Sequence, residues 1–201
     1  MALAATLLAF GTAAPAGASG PPHATGTVLC GISSGSGTLS PGLTPVGSPG
    51  GVKINFAAKF STGNCASNVV SPTGVAVIGG SIKGSGFYDG PASGGPGSSC
   101  AAFDGADAVG KIVVKITWLT TGGPIAKTKI VYKNNTGTVS GSPTDTITLQ
   151  APTGTAVKHG SFATPPTGPP NMTQLTTTIP SPPCGPGPFS TFAITGGAVQ
   201  V

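Results

Sequence analysis

The sequence predicts an all-β protein made of short antiparallel strands. Several segments alternate apolar and polar residues with a period of two, and no window of a dozen residues beyond residue 18 has the helical period. The chain also contains 34 glycines and 21 prolines, which provide turns between strands. Disorder would require low hydrophobicity and high net charge, whereas 38% of the residues are hydrophobic and only 6% are charged. This pattern favours an antiparallel β-sandwich.

The N-terminal segment 1–18 has the composition of an export signal. An apolar run covers residues 2–10, and the small residues 16–18 precede a cleavage position after Ala18, with Ala24 as the second choice. The apolar run is shorter than the roughly 20 residues of a permanent transmembrane helix. We therefore expect a secreted, extracellular protein without a transmembrane anchor.

The rest of the chain is expected to form one domain. Residues 19–25 are predicted to be a flexible mature N-terminus, and 26–201 a single β-sandwich domain, which is long enough for one sizeable core. A short repeat raises a second interpretation, because Ser71–Val77 and Ala151–Val157 share five identical residues. The domain then contains an internally duplicated half. The alternative is chance similarity in a chain rich in Gly, Thr and Ala.

The strands follow from the alternation. In Val52–Phe60 and Lys111–Leu119 the apolar residues occupy even positions and the lysines odd ones, which places the two sets on opposite faces of a strand. Ile125–Lys133 has the same alternation, with lysines again at odd positions. Further strands are expected at Thr27–Ile32, Val75–Ile82, Thr146–Leu149, Thr155–Phe162 and Phe189–Ile194.

A short loop around Gly122 joins two of these strands and predicts a hairpin. Closed symmetrically about Gly122, the hairpin brings five lysines onto one sheet face, with Lys111 opposite Lys133, Lys115 opposite Lys129, and Lys127 beside Thr117. Like charges directly opposite one another destabilise a sheet, so the cluster indicates an anionic partner. The candidates are an anionic cell-wall polymer such as a wall phosphate polymer, an anionic lipid head group and an acidic polysaccharide. The alternative is that the lysines keep an exposed face soluble and prevent association between sheets.

Nucleic acid is not an expected partner. The chain has no arginine, the residue best suited to phosphate and base edges, and aromatic residues make up only 5% of it. So few rings do not form a stacking surface for bases.

The four cysteines, Cys30, Cys65, Cys100 and Cys184, are expected to form two disulfides in an exported chain. Four cysteines allow three pairings, which the sequence leaves open. Cys30–Cys65 with Cys100–Cys184 is favoured because sequential pairing crosses no connections. There is no C-x-x-C spacing and both histidines are isolated, so we expect neither a metal site nor a cofactor.

Hydrolysis is the competing function. His159 is the only histidine within a predicted strand, and with one of the four aspartates it supplies the only acid–base pair on offer. No G-x-S-x-G elbow is present. Asp104 and Asp107 are three residues apart in a Gly/Ala segment, where they are more typical of a turn than of paired catalytic acids or a calcium site. The sequence therefore favours a non-enzymatic protein.

A set of features occurs in order along the chain: Cys30, Gly37–Leu43, Cys65, Cys100, Ile116–Trp118 and Cys184. In this order they resemble a group of small exported actinobacterial proteins, some of them described as immunoglobulin-like. The resemblance implies a disulfide-containing immunoglobulin-like β-sandwich and carries no catalytic residues. We thus expect a secreted binding or structural module of the cell envelope.

Overall fold

The computed structural model confirms the all-β class. It describes residues 20–46, 51–91, 108–133, 144–150, 157–163, 172–178 and 187–201, and these residues contain strands and turns but no helix. The strands are β1 (Thr25–Leu43), β2 (Val52–Ser71), β3 (Ala76–Pro91), β4 (Ala108–Thr121), β5 (Thr128–Lys133), β6 (Thr144–Gln150), β7 (Val157–Gly160), β8 (Met172–Thr178) and β9 (Phe189–Gln200).

All nine strands belong to one antiparallel sheet with the order β6-β8-β9-β1-β2-β3-β4-β5-β7. Strands β1 to β5 follow one another as a meander, and β9 returns to pair with β1 on its other side. An immunoglobulin sandwich has two sheets. The finer prediction of an immunoglobulin-like sandwich therefore stays a prediction.

The sheet curls so that one of its faces becomes the core. The Tyr132 hydroxyl of β5 lies 2.9 Å from the Thr173 hydroxyl of β8, although five strands separate β5 from β8 in the sheet order. Both residues are completely buried. Burial raises the pKa of Tyr132 to about 12, an effect partly offset by the hydrogen bond to Thr173. This bond joins the inward faces of the two halves of the sheet.

Aromatic rings and glycines alternate across the inward face. Phe192 of β9 lies opposite Gly37 of β1, Gly37 opposite Phe56 of β2, and Phe56 opposite Gly84 of β3. A Cβ atom at Gly37 would overlap the Phe192 ring, and one at Gly84 would overlap the Phe56 ring. Each ring therefore lies over a neighbouring glycine, which explains why a strand interior tolerates these glycines.

An aromatic cluster closes the sheet near the β4–β5 loop. Trp118 packs on Phe60 with ring centroids 5.8 Å apart and meets Phe162 edge-on at 5.4 Å. Its Nε1–H donates to the Thr128 hydroxyl at 2.8 Å, and that hydroxyl donates to the Ser161 carbonyl at 2.7 Å. The only tryptophan is thus fixed by packing on two sides and by one hydrogen bond.

The first described residues are joined to the region of this cluster by hydrogen bonds. Ala24 is buried, its N–H donates to the Ser161 hydroxyl at 3.0 Å, and its carbonyl accepts from the Phe162 N–H at 2.6 Å. The Pro22 carbonyl accepts from the Ala126 N–H at 2.9 Å. Residues 22–24 therefore differ from the flexible N-terminus expected over 19–25, because their backbone groups have fixed partners.

The strand alternations predicted from sequence have the predicted inward and outward faces. In Val52–Phe60 the even positions are buried and the lysines exposed, and the same holds for Ile112–Leu119. The third alternating segment forms a strand only from Thr128, because residues 124–127 form a loop in which Ile125 is buried. Strand β8 was not among the predicted strands.

The repeat does not occupy equivalent places in the sheet. Its first copy spans the end of β2 and the start of β3, which are neighbours. The strands flanking its second copy, β6 and β7, form the two opposite edges of the sheet. Residues 151–156 lie outside the described residues.

The predicted disulfide Cys30–Cys65 is present, with an S–S distance of 2.03 Å. It links directly opposite residues of β1 and β2. Cys100 and Cys184, predicted to form the second bridge, lie outside the described residues.

Candidate anion-binding face

The outward face of β2 to β5 collects the lysines because each strand places its odd positions there. Exposed lysines come from β2, β3, β4, β5 and the β4–β5 loop: Lys53, Lys59, Lys83, Lys111, Lys115, Lys127 and Lys129. Their inward neighbours in the strands, such as Ile54, Ile82 and Val114, are buried in the core. Core formation therefore fixes which way the lysines point.

The hairpin register predicted from Gly122 is confirmed. Lys111 is the partner of Lys133 and Lys115 the partner of Lys129. The pairing ends at Thr128, so Lys127 lies in the loop, where its side chain is exposed. The backbone of Lys133 is in register, and its side chain lies outside the described residues.

Strand order extends this pairing into a longer line of basic residues. Lys83 of β3 is the partner of Lys115, Lys115 of Lys129, and Lys129 of His159 in β7. We call these four residues the basic row. Directly opposite residues of adjacent strands lie about 5 Å apart, so the row runs across four strands in steps of that length.

A second line of residues crosses the same face and contains an aromatic ring. Phe87 of β3 is the partner of Lys53 on one side and of Lys111 on the other. Sequence reasoning did not include Lys53, Lys83 or Phe87 in the site. The alternation in Val52–Phe60 already placed Lys53 outward, but the order of β2, β3 and β4 was needed to bring it near the hairpin.

No described residue neutralises the exposed lysines by an ion pair. Asp145 belongs to β6 at the far edge of the sheet, and Asp89 lies in β3 beyond Phe87, with a side chain that the structure does not describe. Asp104 and Asp107 fall outside the described residues. The register itself places like charges directly opposite one another, Lys83 against Lys115 and Lys115 against Lys129, which is unfavourable in a sheet.

The lysines occupy one part of the sheet only. All nine lie in β2, β3, β4, β5, β7 or the β4–β5 loop. We call β2, β3, β4, β5 and β7, which are contiguous in the sheet order, the lysine half, and β6, β8, β9 and β1 the lysine-free half. The outward positions of β1 and β9 carry Ser, Thr and Ala, as at Ser36, Thr38, Thr191 and Ala193.

His159, the histidine of the hydrolase alternative, is exposed at the end of the basic row. Among the described residues it has no hydrogen-bond partner, and its cross-strand neighbour is Lys129 rather than an acid. The nearby Ser161 hydroxyl is buried and accepts from the Ala24 N–H. The described residues thus do not assemble a nucleophile, a base and an acid.

Lys158 differs from the other lysines. It lies opposite Ile130, on the inward side of β7, and its Nζ is buried without a hydrogen-bond partner among the described residues. Desolvation by burial lowers the pKa of Lys158. The burial of Lys158 could not be predicted from the sequence, because it stands beside His159 in a short strand whose inward and outward faces could not be derived.

No family model, curated protein or solved structure matches the chain. In the described ranges no three His, Cys, Asp or Glu residues come together as metal ligands. The same ranges contain no helix with the length and apolar character needed to cross a membrane.

Proposed function

We propose that the protein is a secreted, non-enzymatic module that binds an anionic polymer of the cell envelope across the outward face of its lysine half. The basic row carries this proposal. Three lysines stand directly opposite one another on adjacent strands, an arrangement of like charges that is unfavourable by itself. An anionic partner would convert this unfavourable arrangement into a favourable one.

The solubility explanation accounts less well for the position of the lysines. Lysines that prevent association between sheets are expected on edge strands. Lys83 and Lys115 instead belong to β3 and β4, inside the sheet. The described outward positions of β1 and β9 in the lysine-free half are exposed to solvent without any lysine, with neutral residues such as Ser36, Thr191 and Ala193.

The extracellular location is supported by the disulfide Cys30–Cys65, since disulfides persist in oxidising compartments. We also propose that the two halves of the curled sheet act as the two layers of an immunoglobulin-like sandwich. The hydrogen bond between Tyr132 and Thr173 supports this, because it joins the inward faces of the two halves.

Retention on immobilised polyphosphate over a salt series tests the proposal. We expect retention of the wild type at low salt and its loss as salt screens the charges. The Lys115→Gln/Lys129→Gln variant should lose about tenfold in affinity. Lys59→Gln/Lys127→Gln removes the same number of charges outside the basic row and should lose clearly less. Equal losses of affinity in the two variants would show that binding depends on net charge and not on the basic row. Absence of retention at low salt would refute the proposal.

The hydrolase alternative makes a different prediction. It requires turnover of some substrate by the wild type and its loss in His159→Ala. In the binding proposal His159→Ala is a modest change at the end of the basic row.

A further inference from the structure

We propose that the anionic polymer is an acidic polysaccharide, in which each repeating unit combines a sugar ring with a carboxylate. Phe87 would stack on the sugar ring while Lys53 and Lys111 pair with the anionic groups. This rests on the proposed function and adds to it a ligand class and an aromatic contact residue.

The geometry around Phe87 carries the inference. Lys53 and Lys111 are its direct partners on the two flanking strands. Strands lie about 4.8 Å apart, so the two lysine backbones are separated by roughly 10 Å with the Phe87 backbone midway between them. All three side chains are exposed on the same face. A single ring therefore stands between two ammonium groups on a flat sheet surface.

The ring of Phe87 lies on the outward face of the sheet, away from the core. Its side chain is 46% exposed, while Phe56 and Phe60 of the adjacent strand are buried in the core. It forms no ring contact with a described residue. The other outward positions of β3 from residue 81 onward hold Ser81, Lys83 and Ser85. An exposed aromatic ring beside lysines is the kind of surface that binds a ligand with both an apolar face and a negative charge.

A lipid bilayer fits this surface less well. Insertion into a membrane interface requires a contiguous apolar area. Two other large apolar side chains are exposed on the outward side of the lysine half, Val70 of β2 and Leu119 of β4. Leu119 lies eight residues along β4 from Lys111, the partner of Phe87, or about 27 Å. The lysines of the basic row stand between them. Isolated apolar residues at this spacing suit a polymer laid across the sheet.

The experiment compares two soluble polyanions, polygalacturonate and polyphosphate, because only the first has sugar rings. Phe87→Ala should weaken polygalacturonate binding about fivefold or more, the lower end of what the loss of a stacking contact costs, and leave polyphosphate binding unchanged. Phe87→Trp should keep the affinity, and Phe87→Leu, apolar but without a ring, should not. Leu119→Ala is the matched control and should affect neither polymer. Thermal unfolding of each variant checks that the fold is intact.

The outcomes separate this inference from the proposed function. Binding of both polymers, with no selective effect of Phe87→Ala, would overturn the inference and leave the anion-binding face in place. Preferential binding to phosphatidylglycerol vesicles, weakened equally by Phe87→Ala and Leu119→Ala, would overturn it in favour of a membrane surface. Absence of binding to either polymer at low salt would refute both proposals.

Discussion

The lysine half and the lysine-free half share one core and one sheet but present different chemistry to solvent. Their inward faces are alike, since Phe192 over Gly37 and Phe56 over Gly84 repeat the same ring-over-glycine contact in both halves. Their outward faces are not, because every lysine lies in one half and the described outward positions of β1 and β9 are neutral. Packing of the shared core therefore explains the inward pattern in both halves, but it does not explain why the lysines occur in one half only.

Among the changes that test this comparison, disrupting a ring-over-glycine contact should have the largest effect on the free energy of unfolding. Gly84→Ala in the lysine half and Gly37→Ala in the lysine-free half should each lower the free energy of unfolding by about 1–3 kcal/mol, because the new methyl group overlaps a buried ring. Urea unfolding measures both values.

Gly79→Ala is the control in the same strand as Gly84. A Cβ atom there has Leu119 as its nearest neighbour at 3.8 Å, an ordinary contact, so the substitution should be close to neutral. If Gly84→Ala were equally mild, the inward faces would not be constrained as the structure indicates.

Moving the basic row to the other half tests whether the lysines alone create the site. Ser36, Ala193 and Thr178 are exposed, mutually opposite residues of β1, β9 and β8. Lysines at these positions, placed in the Lys115→Gln/Lys129→Gln background, should restore polyphosphate retention by about tenfold.

The transplanted row should not restore binding to polygalacturonate, because it has no aromatic ring at the position of Phe87. Retention is measured on both polymers over the same salt series. Full recovery on both would show that any line of lysines suffices, and the distinction between the halves would then be one of charge only.

Within the lysine half, Lys158, whose Nζ is buried, and the exposed lysines should differ in how they make the stability of the fold depend on pH. Its folded-state pKa is lowered by burial, so its contribution to stability is greatest above the usual value of 10.5 and is lost as pH falls through the lowered pKa. Lys158→Met should therefore raise the free energy of unfolding at pH 7, by about 1 kcal/mol, since the residue as a whole is only partly buried.

The gain from Lys158→Met should shrink as pH approaches 10. Urea unfolding of wild type and variant at both pH values measures this difference. Lys59→Met, at an exposed position whose cross-strand partners are Ser34 and Ser81, serves as the control and should not show this pH dependence. A Lys158→Met variant less stable than the wild type at pH 7 would mean that the ammonium has a stabilising partner.

The smallest expected change in stability comes from removing like-charge repulsion within the basic row. Lys115→Gln removes like-charge contacts with both Lys83 and Lys129, and should stabilise the fold by about 0.2–1 kcal/mol at low salt. The gain should disappear at about 1 M salt, where the screening length is near 3 Å.

Ser36→Gln in the lysine-free half is the matched control and should show no dependence on salt. Thermal unfolding at low and high salt measures both variants. A variant that binds polyanions less well and is more stable would indicate that the row is kept for binding. If Lys115→Gln were neutral at every salt concentration, the row would carry no electrostatic strain.

The sequence predicted the facing of the strands far better than their arrangement. Alternation fixed the outward position of Lys53, Lys111 and Lys115, and the symmetry about Gly122 fixed the hairpin register, because both are local properties. The basic row could not be completed from sequence. It depends on β3 lying beside β4, and no local pattern encodes the pairing of strands joined by the long segment 92–107.

Two strand regions were missed for a physical reason. The second part of β1 contains two glycines at inward positions, where Gly37 lies under the Phe192 ring and Gly35 lies against Ala57 and Ala58 of β2. Strand β8, Met172–Thr178, is rich in threonine on both faces, and its buried Thr173 and Thr177 do not read as core residues. In both cases the missing hydrophobicity is supplied by a distant strand.

The position of β1 has a consequence for the order in which the chain folds. It pairs with β2, which follows directly, and with β9, so that Leu29 meets Gln200, while Ala24 is bonded to Ser161, 137 residues away. Contacts between such distant residues form slowly because long loops must close first. The native topology can be completed only after β9 has been synthesised. The β1 to β5 meander can form earlier, because each of its strands pairs with the one before it, so the pairing of β9 with β1 would be a late step of folding.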